Sequence, residues 1–240
     1  MINLAISLLA ATLVVFGMTA LDVHILLSIP FGLVVGIAAF LFLGRRVQAK
    51  LEAIMTQMQK DIQANKLDRA IETLKKGYAL QYQQLFVKSQ INSQIGMLYF
   101  LKKDHDAALP YLQKGFLRHY IAQGMLAVIY YRRKDYDSMH KVMEATIKAN
   151  KKESIVYGLY AYLLYQTKNP EKAMTVLQDG LKKLPNDQRL SSNLTLLQNN
   201  KRMKMKVYGE LWIQFMLERP PRMQQELPQH LRMRRKAMFR

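Results

Sequence analysis

The sequence predicts an all-α protein: two N-terminal transmembrane helices followed by a stack of helix pairs. Three observations predict it. Two apolar runs, Asn3 to Leu21 and Ile25 to Leu43, open the chain, and the first 44 residues contain no Lys or Arg. From Ile95 to Pro185, a small residue is followed three places later by a bulky one, then by a polar turn and a second apolar helix, three times over. The turns recur with the helices, as Lys103-Asp104-His105-Asp106, Lys134-Asp135-Tyr136-Asp137 and Lys168-Asn169-Pro170-Glu171.

Residues 1–44 read as a transmembrane helical hairpin with Asp22-Val23-His24 as its turn. Nineteen helical residues rise about 28 Å, roughly the hydrocarbon thickness of a bilayer. A cleaved signal peptide calls for a positively charged start, and Met1-Ile2-Asn3-Leu4 has none. Arg45, Arg46 and Lys50 follow the second run at once. The positive-inside rule therefore predicts a bacterial-type inner-membrane protein with both termini and everything after Arg45 in the cytoplasm. Gly32-Leu33-Val34-Val35-Gly36 is a small-xxx-small contact, expected to pack against Ala10, Ala11 and Gly17 of the first run rather than against a second copy. Pro30 is expected in about the first turn of its helix, where a missing N–H costs little.

Residues 45–200 read as a helical repeat domain. Arg45 to Ala64 continues as an amphipathic helix through Leu51, Ile54, Met55, Met58 and Ile62. After Asn65-Lys66-Leu67-Asp68, its partner carries Ala70, Leu74 and Gly77, with extra turn or helix inserted around Gln81 to Phe86. Gly96, Ala127 and Ala161 then stand 31 and 34 residues apart. Small residues recur where two helices approach most closely, because only Gly or Ala leaves room for the neighbouring backbone. Ala108, Met139 and Ala173 hold the matching places on the second helices. Asn92, Gln123 and Tyr157 open the three pairs, and Pro185 closes the array.

On these residues, about 89 to 185 resembles tetratricopeptide repeats, most fully in the third copy. The resemblance implies a TPR-like α-solenoid whose concave face binds protein or peptide partners. Asp187 to Leu197 is expected to cap the stack. Residues 201–218 read as a C-terminal amphipathic helix, Met203 to Glu218, lying on the end of the solenoid or at the membrane surface and stopped by Arg219-Pro220-Pro221. Residues 219–240 form a basic tail.

Catalytic chemistry finds no footing. The chain has no Cys, no Gly-rich phosphate loop, and five His without metal-ligand spacing. The pair Asp104 and Asp106 is repeated by Asp135 and Asp137 in the next turn, as helix caps would be. No enzymatic activity, metal or cofactor is expected. On the concave face, Met97 and Phe100, Val128 and Tyr131, and Tyr162 and Tyr165 are the candidate groove residues. Phe100, Tyr131 and Tyr165 would form an aromatic ladder, with Gln90, Ser93, Arg132 and Gln166 as polar contacts beside it. These side chains serve a partner only if the C-terminal segment leaves the groove open.

The formal charge of +19 exceeds what solubility needs. Arg45, Arg46 and Lys50, with Arg232, Arg234, Arg235 and Lys236 in the tail, suit the anionic lipids of an inner leaflet, which are favoured over nucleic acid or ribosome contact. The reading is a membrane-anchored TPR-like scaffold or adaptor for protein partners at the cytoplasmic membrane face. A basic-tail tether to nucleic acid is one alternative. The other is an accessory role, since the layout also resembles the haem-biosynthesis-associated membrane proteins that place tetratricopeptide repeats after two spans.

Overall fold

The two apolar runs form α1 (Ile2–Ala20) and the first half of α2 (Ile25–Gln63) in a computed structural model whose described residues are 1–218. Both helices are long and apolar enough to cross a membrane, and only 11% and 17% of their most apolar stretches are buried. They pack on each other where side chains are smallest. A Cβ on Gly32 would strike the Val15 side chain and stand 2.9 Å from the Ala11 carbonyl, and one on Gly36 would meet the Ala11 methyl at 2.9 Å. The glycine pair is thus spent within the chain, on Ala11, while Gly17 touches nothing. Pro30 lies in the second turn of α2, deeper than expected, where its missing N–H leaves the Leu26 carbonyl without its helical donor.

No break separates residue 44 from 45, because α2 runs on for 39 residues into the repeat region. Its second half pairs with α3 (Leu67–Lys76), and Val47 and Leu51 enter a core with Ala70, Ile71, Leu74 and Ile91. Asp61 ties the pair together, accepting from the Thr73 hydroxyl at 3.0 Å and meeting Arg69 at 3.5 Å. A 3-10 turn (Gly77–Leu80) and a loop lead to three further pairs. These are α4 (Val87–Leu101) with α5 (His105–Gln113), α6 (Tyr120–Arg132) with α7 (Tyr136–Ala149), and α8 (Ser154–Gln166) with α9 (Pro170–Lys183). The helix α10 (Gln188–Gln198) caps the stack. Gly96, Ala127 and Ala161 are fully buried, as are Ala108, Met139 and Ala173 opposite them. A Cβ on Gly96 would lie 2.7 Å from the Leu112 side chain, so the contact admits only glycine there.

One turn geometry builds all three hairpins. Lys103, Lys134 and Lys168 adopt left-handed backbones, with φ of 64°, 60° and 60°. The next amide then reaches back to close the helix: Asp104 to the Tyr99 carbonyl, Asp135 to Tyr130 and Asn169 to Leu164, each at 3.0 Å. The side chains of the same residues accept from Ala107, Ser138 and Lys172 at 3.0, 3.1 and 3.4 Å, capping the helix that follows. A left-handed lysine costs roughly 1–2 kcal/mol, and these paired bonds offset it. The carboxylates of Asp104 and Asp135 are therefore spent on the backbone, while Asp106 pairs with Arg133.

The C-terminal segment departs from expectation. Residues 201–218 are not one helix: a 3-10 turn (Met205–Tyr208) and the short α11 (Glu210–Ile213) are separated by Gly209 at φ +59°, ψ −134°. Such a backbone is open to glycine and breaks the helical run. The segment lies neither on the stack's end nor out on the surface. It buries Met203, Met205, Tyr208, Trp212 and Phe215 in the core of the repeats. The tail residues Arg232, Arg234, Arg235 and Lys236 lie outside the described residues.

His119 caps α6, its Nδ1 accepting the Ala122 amide at 3.4 Å while Nε2 faces Gln94. Burial holds its pKa below the ordinary histidine value. A depressed value means that its contribution is whole above the unfolded pKa of about 6.5 and is lost as pH falls through the folded one. The protein is expected to lose stability as pH falls below about 6.5 in denaturant melts. His119→Asn, which keeps a capping oxygen and does not titrate, is expected to remove part of that loss, the rest staying with His105 and His140, whose values are also lowered by burial.

Candidate functional site: the concave face and the segment that fills it

Helices α4, α6 and α8 line the inner face of the stack, and each carries a small residue three places before its helix contact: Ser93, Gly124 and Gly158. Two of these openings receive an aromatic ring from the C-terminal segment. A Cβ on Gly124 would stand 2.5 Å from the Phe215 ring, and one on Gly158 would stand 2.5 Å from the Tyr208 hydroxyl. Between them, Trp212 meets Tyr162 edge-on at 4.8 Å and Phe215 at 6.1 Å. Tyr208 is closed in beside Ser154, with 3.4 Å between their hydroxyls, and burial pushes its phenol up to about 12. Arg132 clamps the end of the segment, donating to the Met216 carbonyl at 2.7 Å and to His105 Nε2, with its guanidinium 5.7 Å over the Phe100 ring. Burial, and then the neighbouring Arg132 charge, lower the His105 pKa, which keeps the imidazole neutral and able to accept that bond.

The groove expected from the sequence is therefore occupied by the protein's own residues, and the candidate side chains divide accordingly. Phe100 and Val128 are fully buried, and Tyr162 is covered by Trp212. Ser93 is structural: its hydroxyl donates to the Ser89 carbonyl at 3.1 Å and accepts the Phe116 amide at 2.8 Å. Met97 packs, half-buried, against the core. No ladder forms, since Phe100 pairs with His105 at 5.0 Å and Tyr131 with Tyr136 at 6.5 Å. Gln90 opens on a different cleft, between α2 and α4, beside Gln48 and Gln94.

Three candidates remain together. Tyr165 and Gln166, with the nearly buried Tyr162, line a cleft of about 700 Å³ beside Lys168, Arg202 and Glu218. A second cleft of about 520 Å³ lies on the other side of Glu218, beside Arg132, His105 and Ile213. Both are lined by side chains of either charge together with aromatic or apolar ones. Among the described residues, no group of His, Asp and Glu could hold a metal ion.

Residues 89–116 match the family model of the tetratricopeptide repeat. The match takes in all but the first two residues of α4 and the whole of α5. It falls on the first of the three pairs, although the sequence pattern is fullest in the third. The second and third pairs repeat the architecture of this tetratricopeptide unit, turn for turn. No curated protein matches the chain.

The sequence left open whether the C-terminal segment fills the groove, and it did not single out Met203, Met205, Tyr208, Trp212 and Phe215 as the side chains that do so. Gly124 and Gly158 were the available signal: two glycines in register on inner helices leave slots that something bulky must fill. Trp212 is the only Trp in the chain and reports on this packing. Gly158→Ala is expected to displace Tyr208, shift Trp212 emission to longer wavelength and raise its quenching by acrylamide severalfold. Gly17→Ala, at an open site, is expected to change neither.

Proposed function

We propose that the chain is a membrane-anchored scaffold that binds a protein or peptide partner at the cytoplasmic membrane face and catalyses no reaction. The observation that carries this reading is α2, a single helix that passes from bare apolar residues into the buried contacts of Val47 and Leu51. Whatever holds the hairpin also holds the array. A core helix needs protein on all sides, and the rest of the described chain leaves both apolar helices uncovered, which favours lipid as their solvent. Arg45, Arg46 and Lys50 are exposed directly after the apolar stretch, which supports a cytoplasmic array whose cations meet anionic head groups.

The tetratricopeptide repeat supports protein binding as the task. With the centre of the concave face filled, the partner's place is the open cleft at Tyr165, Gln166, Lys168 and Arg202. An aromatic floor, an amide and both signs of charge suit a short stretch of polypeptide.

The full-length chain is expected to stay in the membrane pellet through alkaline carbonate and to leave it with detergent. Protease added outside spheroplasts is expected to spare residues after Arg45. A photo-crosslinking side chain at Gln166 is expected to trap a discrete partner in native membranes, while one at Thr175, exposed on α9 outside the cleft, traps none. Release by carbonate alone would remove the anchor, and equal trapping at both positions would remove the cleft.

A further inference from the structure

The loop from Gln81 to Phe86 exposes three apolar side chains in six residues: Tyr82, Leu85 and Phe86 are 67%, 44% and 59% exposed. Its position explains them. The carbonyls of Tyr82 and Gln83 accept the amides of Ile2 and Asn3 at 2.8 and 3.2 Å, satisfying N–H groups that the start of α1 would otherwise leave unpaired. The side-chain amide of Gln84 comes within 3.9 Å of where a Cβ on Gly44 would stand, at the end of the apolar stretch of α2. One loop thus lies against the same end of both apolar helices. Phe86 takes a left-handed backbone, φ 66°, which is rare for an aromatic residue, and its ring meets Phe116 at 5.3 Å. The apolar strip continues to Leu117, which is 44% exposed. Lys88 and Arg118, both exposed, stand beside Phe86 and Leu117 in the chain, and the exposed Arg45 and Arg46 follow Gly44.

We infer that this loop, with Leu117, is a membrane contact in its own right: it seats the first tetratricopeptide repeat on the bilayer surface, with its rings among the lipid head groups. The inference rests on the anchor reading of residues 1–44, since the loop is level with the lipid boundary only if α1 and α2 cross the bilayer. Aromatic side chains favour that boundary, where one part of the ring is dry and its edge is wet. The flanking cations match anionic head groups, which selects lipid over an apolar protein surface as the occupant. The strained Phe86 backbone fits this role, because it brings the ring against Phe116, the chain neighbour of Leu117.

The chain has no Cys, so single cysteines carrying a fluorophore can be read without background. Full-length Tyr82→Cys, Leu117→Cys, Leu33→Cys and Lys183→Cys, each reconstituted in nanodiscs containing anionic lipid, are compared by quenching with spin-labelled lipids and with aqueous iodide. Unchanged Trp212 emission verifies the fold of each variant. The labels at Tyr82 and Leu117 are expected to lose intensity to lipid spin-labelled near the head group, that at Leu33 to lipid labelled deep in the chain, and that at Lys183 to iodide alone. If Tyr82 and Leu117 behave like Lys183 while Leu33 is quenched from the lipid, the anchor stands and the surface contact is overturned. If Leu33 itself escapes the lipid quencher, the anchor reading fails and the contact with it. Protection of Tyr82 and Leu117 from both quenchers would assign the patch to a second copy of the chain and overturn the lipid contact.

Discussion

Close backbone approach at missing or minimal side chains is the constraint on which every level of this structure depends. In the apolar hairpin, Gly32 and Gly36 let α2 come against Val15 and Ala11. In the repeats, Gly96 leaves room only for Leu112. On the inner face, Gly124 and Gly158 open slots for Phe215 and Tyr208. The physics is the same in each case, since a packed interior at near-crystalline density has no room for an added methyl. What differs is the occupant: another helix in the first two cases, an irregular segment in the third.

That third case changes what the array is. Stacked helix pairs draw stability from their neighbours, and a stack this short has few of them. Residues 203–217 run across the inner face of α6 and α8 and join one core with them. Each large apolar side chain buried there contributes roughly 1.5–3 kcal/mol before ordering costs. Because those side chains number five and span two repeats, the segment acts as a staple along the concave face. Arg132 closes it with a bond to the backbone, so the clamp does not depend on which residue stands at 216. The concave face is thus both a structural interior and, at its Tyr165 end, the edge of an open cleft.

The hairpin and the array are similarly joined at more than one place. The helix α2 provides the covalent link, and the carbonyls of Tyr82 and Gln83 provide a second, noncovalent one at the start of α1. Two separate attachments fix orientation as well as distance, so the first repeat is held at a set angle to the apolar helices.

Local pattern determined most of this architecture by itself. The apolar runs, the 31- and 34-residue spacing and the lysine–aspartate turns are short-range signals, since a helix period, a cap and a left-handed closure each depend on residues within a few places of one another. Met139 took its buried place despite departing from the pattern, because a flexible side chain of adequate volume meets the same packing need. The concave groove was legible as a face but not as a surface. Whether Tyr162 meets a partner or the protein's own chain depends on Trp212, fifty positions away in sequence, and no periodicity encodes that distance. Gly209 broke the expected last helix and turned Tyr208 and Trp212 inward, so that tertiary packing alone decided that the groove is filled and where it stays open.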